Sequence, residues 1–177
     1  MAGQRLTDKT ALEEQAGSGD LLMVVDVNDT TGSAEGTSKK MDFKYVIQTD
    51  KFSLTNTQVL ALESNPKTLV GPLSGYMVMP LSVTVLTTYA ASTEGSNSSL
   101  YFGYDPSQDL LYWDYMSRFM SSITTSNAFV FGGGSQGGRG VMGESILNKG
   151  FYMWSNTAFD GGWSCDVYCT YAYTKVL

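Results

Sequence analysis

Three groupings in this 177-residue chain have residue types that could do chemistry. In the first, Gly132, Gly134 and Gly137 follow the apolar run Ala128–Phe131, with Asp160 about twenty residues further on, which is the outline of a dinucleotide fingerprint. Those glycines work only where a helix N-terminus faces the pyrophosphate inside a parallel β-α-β unit. Here Gly138, Gly140 and Gly143 interrupt the stretch after Gly137, so no crossover helix is expected and the segment reads as a glycine loop at a sheet rim. In the second, Asp26 to Gly32 has the outline of a calcium loop. Thr30 takes the third ligand position and the glycine comes one residue late, so an Asx-rich turn is expected. In the third, Asp105, Asp109 and Asp114 lie among Tyr101, Phe102, Tyr104, Tyr112, Trp113 and Tyr115. Carboxylates beside aromatics suit a glycosidase cleft or a sugar-binding face. Asp105 to Gln108 reads as a turn between two strands, which leaves Tyr104, Tyr112, Trp113 and Tyr115 as candidate glycan contacts. No catalytic pair is expected, so exchange of Asp109 and Asp114 for Asn should leave stability and assembly unchanged.

The remaining composition narrows the choice further. The chain has no histidine, which removes the commonest general base and metal ligand; no catalytic residue, cofactor or metal is expected. Cys165 and Cys169 sit four apart on one strand, about 13 Å between Cα atoms, too far for a disulfide. They share a face and read as small buried apolar residues. The net charge is −6 with Lys39-Lys40 the only adjacent basic pair, which argues against nucleic acid and against an anionic membrane surface. Charged residues are only 16%, below the usual quarter, and Ser, Thr, Asn and Gly replace them. That surface suits a chain that lives against neighbours. The opening MAGQRLTDKT lacks the apolar core of a secretory signal, and no apolar run reaches the length of a membrane span.

The elements that must position these residues read as strands. Residues 1–20 form an extended polar arm. Leu21–Val27 and Met41–Ile47 make strands joined by a turn-rich loop, the second alternating Met41, Phe43, Tyr45 and Ile47. Two strands alone are marginal in water, so this hairpin needs a partner. Ser53 or Thr55 caps a short helix ending before Asn65-Pro66. Further strands are expected at 68–70, 76–88, 100–104, 110–115, 128–131, 145–154 and 163–176. In the second of these Met77, Met79, Leu81, Val83 and Val85 share a face, with a bulge or edge at Pro80. In the last, Trp163, Cys165, Val167, Cys169, Tyr171 and Tyr173 share a face. Short strands between turns, without amphipathic helices, indicate an all-β antiparallel sandwich. The expected units are an arm and hairpin over 1–50 and a sandwich over 51–177.

Three segments carry a resemblance. They are Val25-Asp26-Val27 with Asp29-Thr30-Thr31 and Gly36 to Lys40; Leu54-Thr55, Val59-Leu60, Leu62, Pro66, Thr68 to Val70 and Pro72; and Asn156, Gly161-Gly162, then Trp163 to Tyr171 and Tyr173. In these segments the chain resembles small fibre-like or decoration proteins of tailed bacteriophages. The resemblance implies a jelly-roll-like homotrimer, assembled in the host cytoplasm and mounted on the virion by its N-terminal segment, with no family catalytic residues to carry over. The expected anchor is then Leu21, Leu22, Val24, Val25, Met41, Phe43 and Tyr45, bound to the major capsid protein or another virion protein. Residues 1–20 are expected to be required for attachment. The implied role is capsid decoration as a cement or head-fibre protein; the alternative is a tail-associated fibre or receptor-binding protein that recognises host surface glycans.

Overall fold

A computed structural model describes residues 21–32, 34, 36–42, 46–106, 112–133 and 146–175. The chain divides into two units, Met1–Val46 and Ile47–Leu177.

In the first unit, β1 (Leu21–Asp26) pairs antiparallel with β2 (Thr37–Asp42) in unbroken register, Leu21 opposite Asp42 and Asp26 opposite Thr37. The second strand was expected over 41–47. It begins earlier, at Thr37, and residues 43–45 of the expected span lie outside the described residues.

The second unit holds β3 (Gln48–Leu54), α1 (Asn56–Leu60), β4 (Lys67–Val70), β5 (Tyr76–Tyr89), β6 (Leu100–Gly103), β7 (Tyr112–Met116), β8 (Ala128–Phe131), β9 (Phe151–Ser155) and β10 (Trp163–Lys175). One sheet has the order β3-β10-β5-β8 and the other β4-β9-β6-β7, every ladder antiparallel. The first of these eight strands pairs with the last, the second with the seventh, the third with the sixth and the fourth with the fifth. That is one long antiparallel hairpin rolled into two sheets: an eight-stranded jelly roll.

Period two drives this fold. Along β10 the side chains of Trp163, Cys165, Val167, Cys169 and Tyr171 are buried and the residues between them half-exposed. Val83, Val85, Phe102, Phe119, Phe151, Met153 and Val167 close the core with almost no exposure. Phe102 meets Phe131 at 4.7 Å between centroids, and Trp163 meets Phe159 at 5.1 Å and Phe119 at 5.4 Å. Ring pairs of this kind add about 0.5–1.5 kcal/mol each beyond the area they bury.

Strand β5 corrects the single-face expectation. Register jumps from Thr170↔Ser82 to Tyr171↔Pro80, so Leu81 is an extra residue in β5. The bulge falls where Pro80 denies a ladder bond. It flips the parity: Val78 and Pro80 point inward before it and Val83, Val85 and Thr87 after it, leaving Met79 and Leu81 exposed. Strand β3 was not expected, because its QTDKFSL sequence is polar; it is the sheet's outer strand, needing one buried face and one open edge. The strand expected over 145–154 is the shorter β9: Ile146 to Lys149 form a turn, with Lys149 N–H donating to Ile146 O at 3.2 Å, and Ser145 lies outside the described residues. For α1 the cap is Thr55: its hydroxyl accepts from Gln58 N–H at 3.4 Å, and Gln58 Oε1 accepts from Thr55 N–H at 2.9 Å.

Candidate functional site

The hairpin turn is built from short polar side chains that grip backbone. Asp26 Oδ1 accepts from Asn28 N–H at 3.1 Å, and Asp29 Oδ1 from Thr31 N–H at 3.0 Å and Thr31 Oγ1 at 2.6 Å. Gly36, at φ 116°, closes the loop: a Cβ there would sit 2.8 Å from Asp26 O. Lys39 Nζ reaches Asp26 Oδ2 at 2.8 Å and Asp29 Oδ2 at 2.9 Å. Hydrogen bonding to Asp26 and then Asp29 lifts the Lys39 ammonium to about 12. The Thr31 hydroxyl, then Lys39, holds Asp29 below the ordinary carboxylate range, and Lys39 does the same for Asp26. The segment with a calcium-loop outline is therefore an Asx-type turn whose carboxylates face a lysine.

Behind the turn, β1 leaves Leu22, Met23 and Val25 exposed, with Val24 and Met41 half-buried. An open depression of about 400 Å³ is lined by Leu22, Met23, Ser38, Lys39 and Lys40. Of the expected anchor residues, Leu21, Leu22, Val24, Val25 and Met41 fall on this hairpin; Phe43 and Tyr45 lie outside the described residues.

The expected glycan contacts separate. Tyr104 is a core residue: it is buried, its hydroxyl donates to Val78 O at 3.0 Å, and burial pushes its ionisation up. It is unable to touch a ligand. Trp113 packs half-buried on the core, edge-on to Phe151 at 5.7 Å. Tyr112 and Tyr115 share the outer face of the second sheet with Tyr101 and Trp154, two residues the sequence reading did not assign to it. Tyr101 stacks on Tyr115 at 5.2 Å and 9°, and on Trp154 at 5.6 Å and 15°; Tyr112 meets Tyr101 and Tyr115 edge-on. The register that aligns Tyr101 with Trp154 on β9 and Tyr115 on β7 makes this row.

The carboxylate cluster also separates. Asp114 is buried and accepts from Tyr115 N–H at 2.8 Å, Gly132 N–H at 3.1 Å and Gly133 N–H at 3.0 Å. The anion met by the start of the glycine loop is thus the protein's own, and Asp114→Asn turns from silent to costly, since an amide NH₂ would face peptide N–H donors. Gly133, at φ 75°, lies against the Trp113 indole, where a Cβ would come within 2.6 Å of Nε1. Asp105 lies 3.6 Å from Lys149 Nζ; Asp109 and Gly134 to Gly140 lie outside the described residues.

Sequence reasoning missed Glu94, a buried carboxylate in the loop between β5 and β6. It accepts from Ser96 N–H at 3.1 Å, the Ser96 hydroxyl, Asp160 N–H at 3.2 Å, Gly161 N–H at 3.0 Å and Trp163 Nε1–H at 3.3 Å. The only sequence signal was one acidic residue among Ser, Thr and Gly. Cys165 and Cys169 are buried free thiols, each pushed up to about 12 by burial. Among the described residues no three acidic or cysteine side chains group as metal ligands.

No known family profile matches the chain, and no curated protein matches it. Among solved structures, a chain of the native virion of Kashmir bee virus at acidic pH is similar, at 11% identity over 96% of this chain and 96% of that chain, with a TM-score of 0.29. A superposition that loose has no bearing on function or descent; the jelly-roll assignment rests on strand order.

Proposed function

We propose that this chain is a non-enzymatic structural protein of a virus particle, a homotrimeric capsid decoration protein of a tailed bacteriophage. In this reading the N-terminal hairpin seats on the capsid shell and the jelly roll projects from it. The observation that carries the reading is the pairing of a self-sufficient sandwich with a two-stranded hairpin whose apolar side chains stand in water. Such a hairpin is marginal alone and is completed by a surface it docks on. The sandwich's polar interior is spent on holding loops, through Glu94 and Asp114, which leaves those groups no part in chemistry. A protein that binds the assembled shell and not its free subunits stabilises the shell by mass action. Particles lacking the chain should burst at lower temperature or lower external salt than decorated ones, and protein without residues 1–46 should fail to restore them. Stripped particles that are equally robust but fail to adsorb to cells would overturn the cementing role.

The second reading, a tail-associated receptor-binding protein, is favoured by the aromatic row on the outer face of the second sheet. Tyr112 and Tyr115 lie on its outer strand, β7, half-exposed. Binding of cell-surface glycan that is lost in Tyr115→Ala would support it.

A further inference from the structure

The loop between β5 and β6 is attached at its ends and at its tip by different chemistry. Its ends are tied by uncharged groups. At the first, Ala90 N–H donates to Gly162 O and Gly162 N–H to Ser92 O, both at 2.8 Å. The loop lies this close because Gly162 has no side chain: a Cβ there would sit 2.7 Å from Ser92 N. At the second, Ser98 Oγ donates to Ala158 O at 3.0 Å and Ser99 N–H to Asn156 Oδ1 at 2.8 Å. The tip, Glu94 to Ser96, is tied mainly through carboxylates. Asp160 Oδ1 accepts from Gly95 N–H at 2.7 Å and from Ser96 N–H at 3.1 Å. Glu94 Oε2 reaches Gly161 N–H at 3.0 Å and the Trp163 indole N–H at 3.3 Å. The Ser96 N–H is shared between the two anions, since it also donates to Glu94 Oε1 at 3.1 Å. A backbone bridge between Glu94 and Ser121 adds one uncharged tie. From Ala90 to Asn97 no apolar side chain is buried, so the tip has no hydrophobic anchor.

The Glu94 carboxylate meets an aromatic cluster. Trp163 is 1% exposed and lies 5.1 Å from Phe159 and 5.4 Å from Phe119. We infer that residues 94–96 are an acid-released latch over this cluster: protonation of Asp160 removes the outer half of the latch and raises the population in which the tip swings off, both loop ends staying attached and the Trp163 indole meeting water. Asp160 is exposed, so protons reach it, and a protonated carboxyl turns an O–H toward groups that are themselves donors. The Gly95 N–H, then Glu94, holds its carboxyl below the ordinary 3.8, so the latch is closed above that value and released as pH falls through the depressed one. The loops that meet here, 90–99, 117–127 and 156–162, carry Glu94, Arg118 and Asp160 as their charged residues. Among the described residues Arg118 pairs with neither carboxylate, so no cation keeps them ionised. Tyr89, where the loop begins, donates its hydroxyl to Ala91 O, and α1 contributes the uncharged Asn56, on Gly161 O and Trp163 O at 2.9 Å each. The device belongs to the sandwich alone and is independent of what the hairpin docks on.

The test is hydrogen exchange followed by NMR on the full chain. Between about pH 6 and about pH 3, the protection of the Gly95 and Ser96 amides and of the Trp163 indole N–H should fall at least about tenfold further than that of Val167 and Cys169 in β10, which exchange with the sandwich as a whole. Asp160→Asn has no carboxyl to protonate, and its tip protection should change with pH only as β10 does. Native β10 protection in that variant at about pH 6 shows that it is folded. Asp166→Asn removes a half-exposed carboxylate that pairs with Lys51 elsewhere on the sandwich, and should keep the wild-type response at the tip. Tip and β10 losing protection in step in the wild type, or an acid response at the tip that survives in Asp160→Asn, overturns the inference.

Discussion

Glu94 is where the sandwich is most exposed to a single change. The carboxylate sits 3% exposed with no cation beside it among the described residues, satisfied by donors from the β5–β6 loop and the β9–β10 loop. Glu94→Ala strands two donors that water does not reach, the Gly161 N–H and the Trp163 indole N–H, each in a buried residue. A buried donor left unpaired costs about 1–3 kcal/mol, so the pair costs about 4 kcal/mol. Ser96 and Asp160 reach water and add little. Glu94→Gln can keep its one oxygen at the Oε2 position, which the Gly161 N–H and the Trp163 indole N–H both reach, and turns its amide NH₂ toward the Ser96 N–H, for a smaller loss of about 1 kcal/mol. The order of stability is therefore wild type, Gln, Ala. Urea unfolding followed by tryptophan fluorescence measures it, with the slope unchanged so that the midpoint shift reports stability. The alanine variant should also melt roughly 10–15 °C lower. A loss below about 1 kcal/mol in Glu94→Ala would refute the claim that this carboxylate locks the two loops.

Three further outcomes are expected from the same geometry. The Asp160 carboxyl is held below its ordinary 3.8 first by the Gly95 N–H, and the Asp166 carboxyl first by Lys51; their contribution is present above that value and lost as pH falls through the depressed folded values. The urea midpoint should thus fall from about pH 4 downward, and Asp160→Asn should flatten part of that slope. Gly133→Ala should cost about 2 kcal/mol or more, from a positive φ and a 2.6 Å clash with Trp113, while Gly132→Ala, with nothing within 4 Å, should be near neutral; paired melts decide it. Ser155→Ala should raise the urea midpoint or leave it unchanged, because the Ser155 hydroxyl is buried without a partner.

How much of this was legible depended on the range of the forces involved. Strand β10 could be read because alternation is local: Trp163 to Tyr171 declare one face by themselves. The cap at Thr55 was equally local. Strand β3 was hidden because an outer strand tolerates Gln48 to Lys51 once β10 supplies its partner, and that partner lies more than a hundred residues away in sequence. The faces of β5 were misread because one bulge at Leu81 reverses the parity of everything beyond it. The candidate site divided for the same reason. Tyr112 and Tyr115 could be seen as neighbours on one strand, but Tyr101 and Trp154 join them only through the pairing of β6 with β7 and β9. Tyr104 looked like its neighbours in sequence, yet it follows β6, where the chain turns inward and its hydroxyl finds Val78 O. Asp114 looked like a solvated carboxylate until the fold brought Gly132 and Gly133 to it.

Imaging of intact particles made with the chain carrying a C-terminal density tag decides whether it decorates the shell. Tags regularly spaced over the shell, lost when Met23 and Val25 are replaced by lysine, are the predicted result. Particles that carry no tag anywhere, although the tagged chain is made and folded in the same cells, would contradict it.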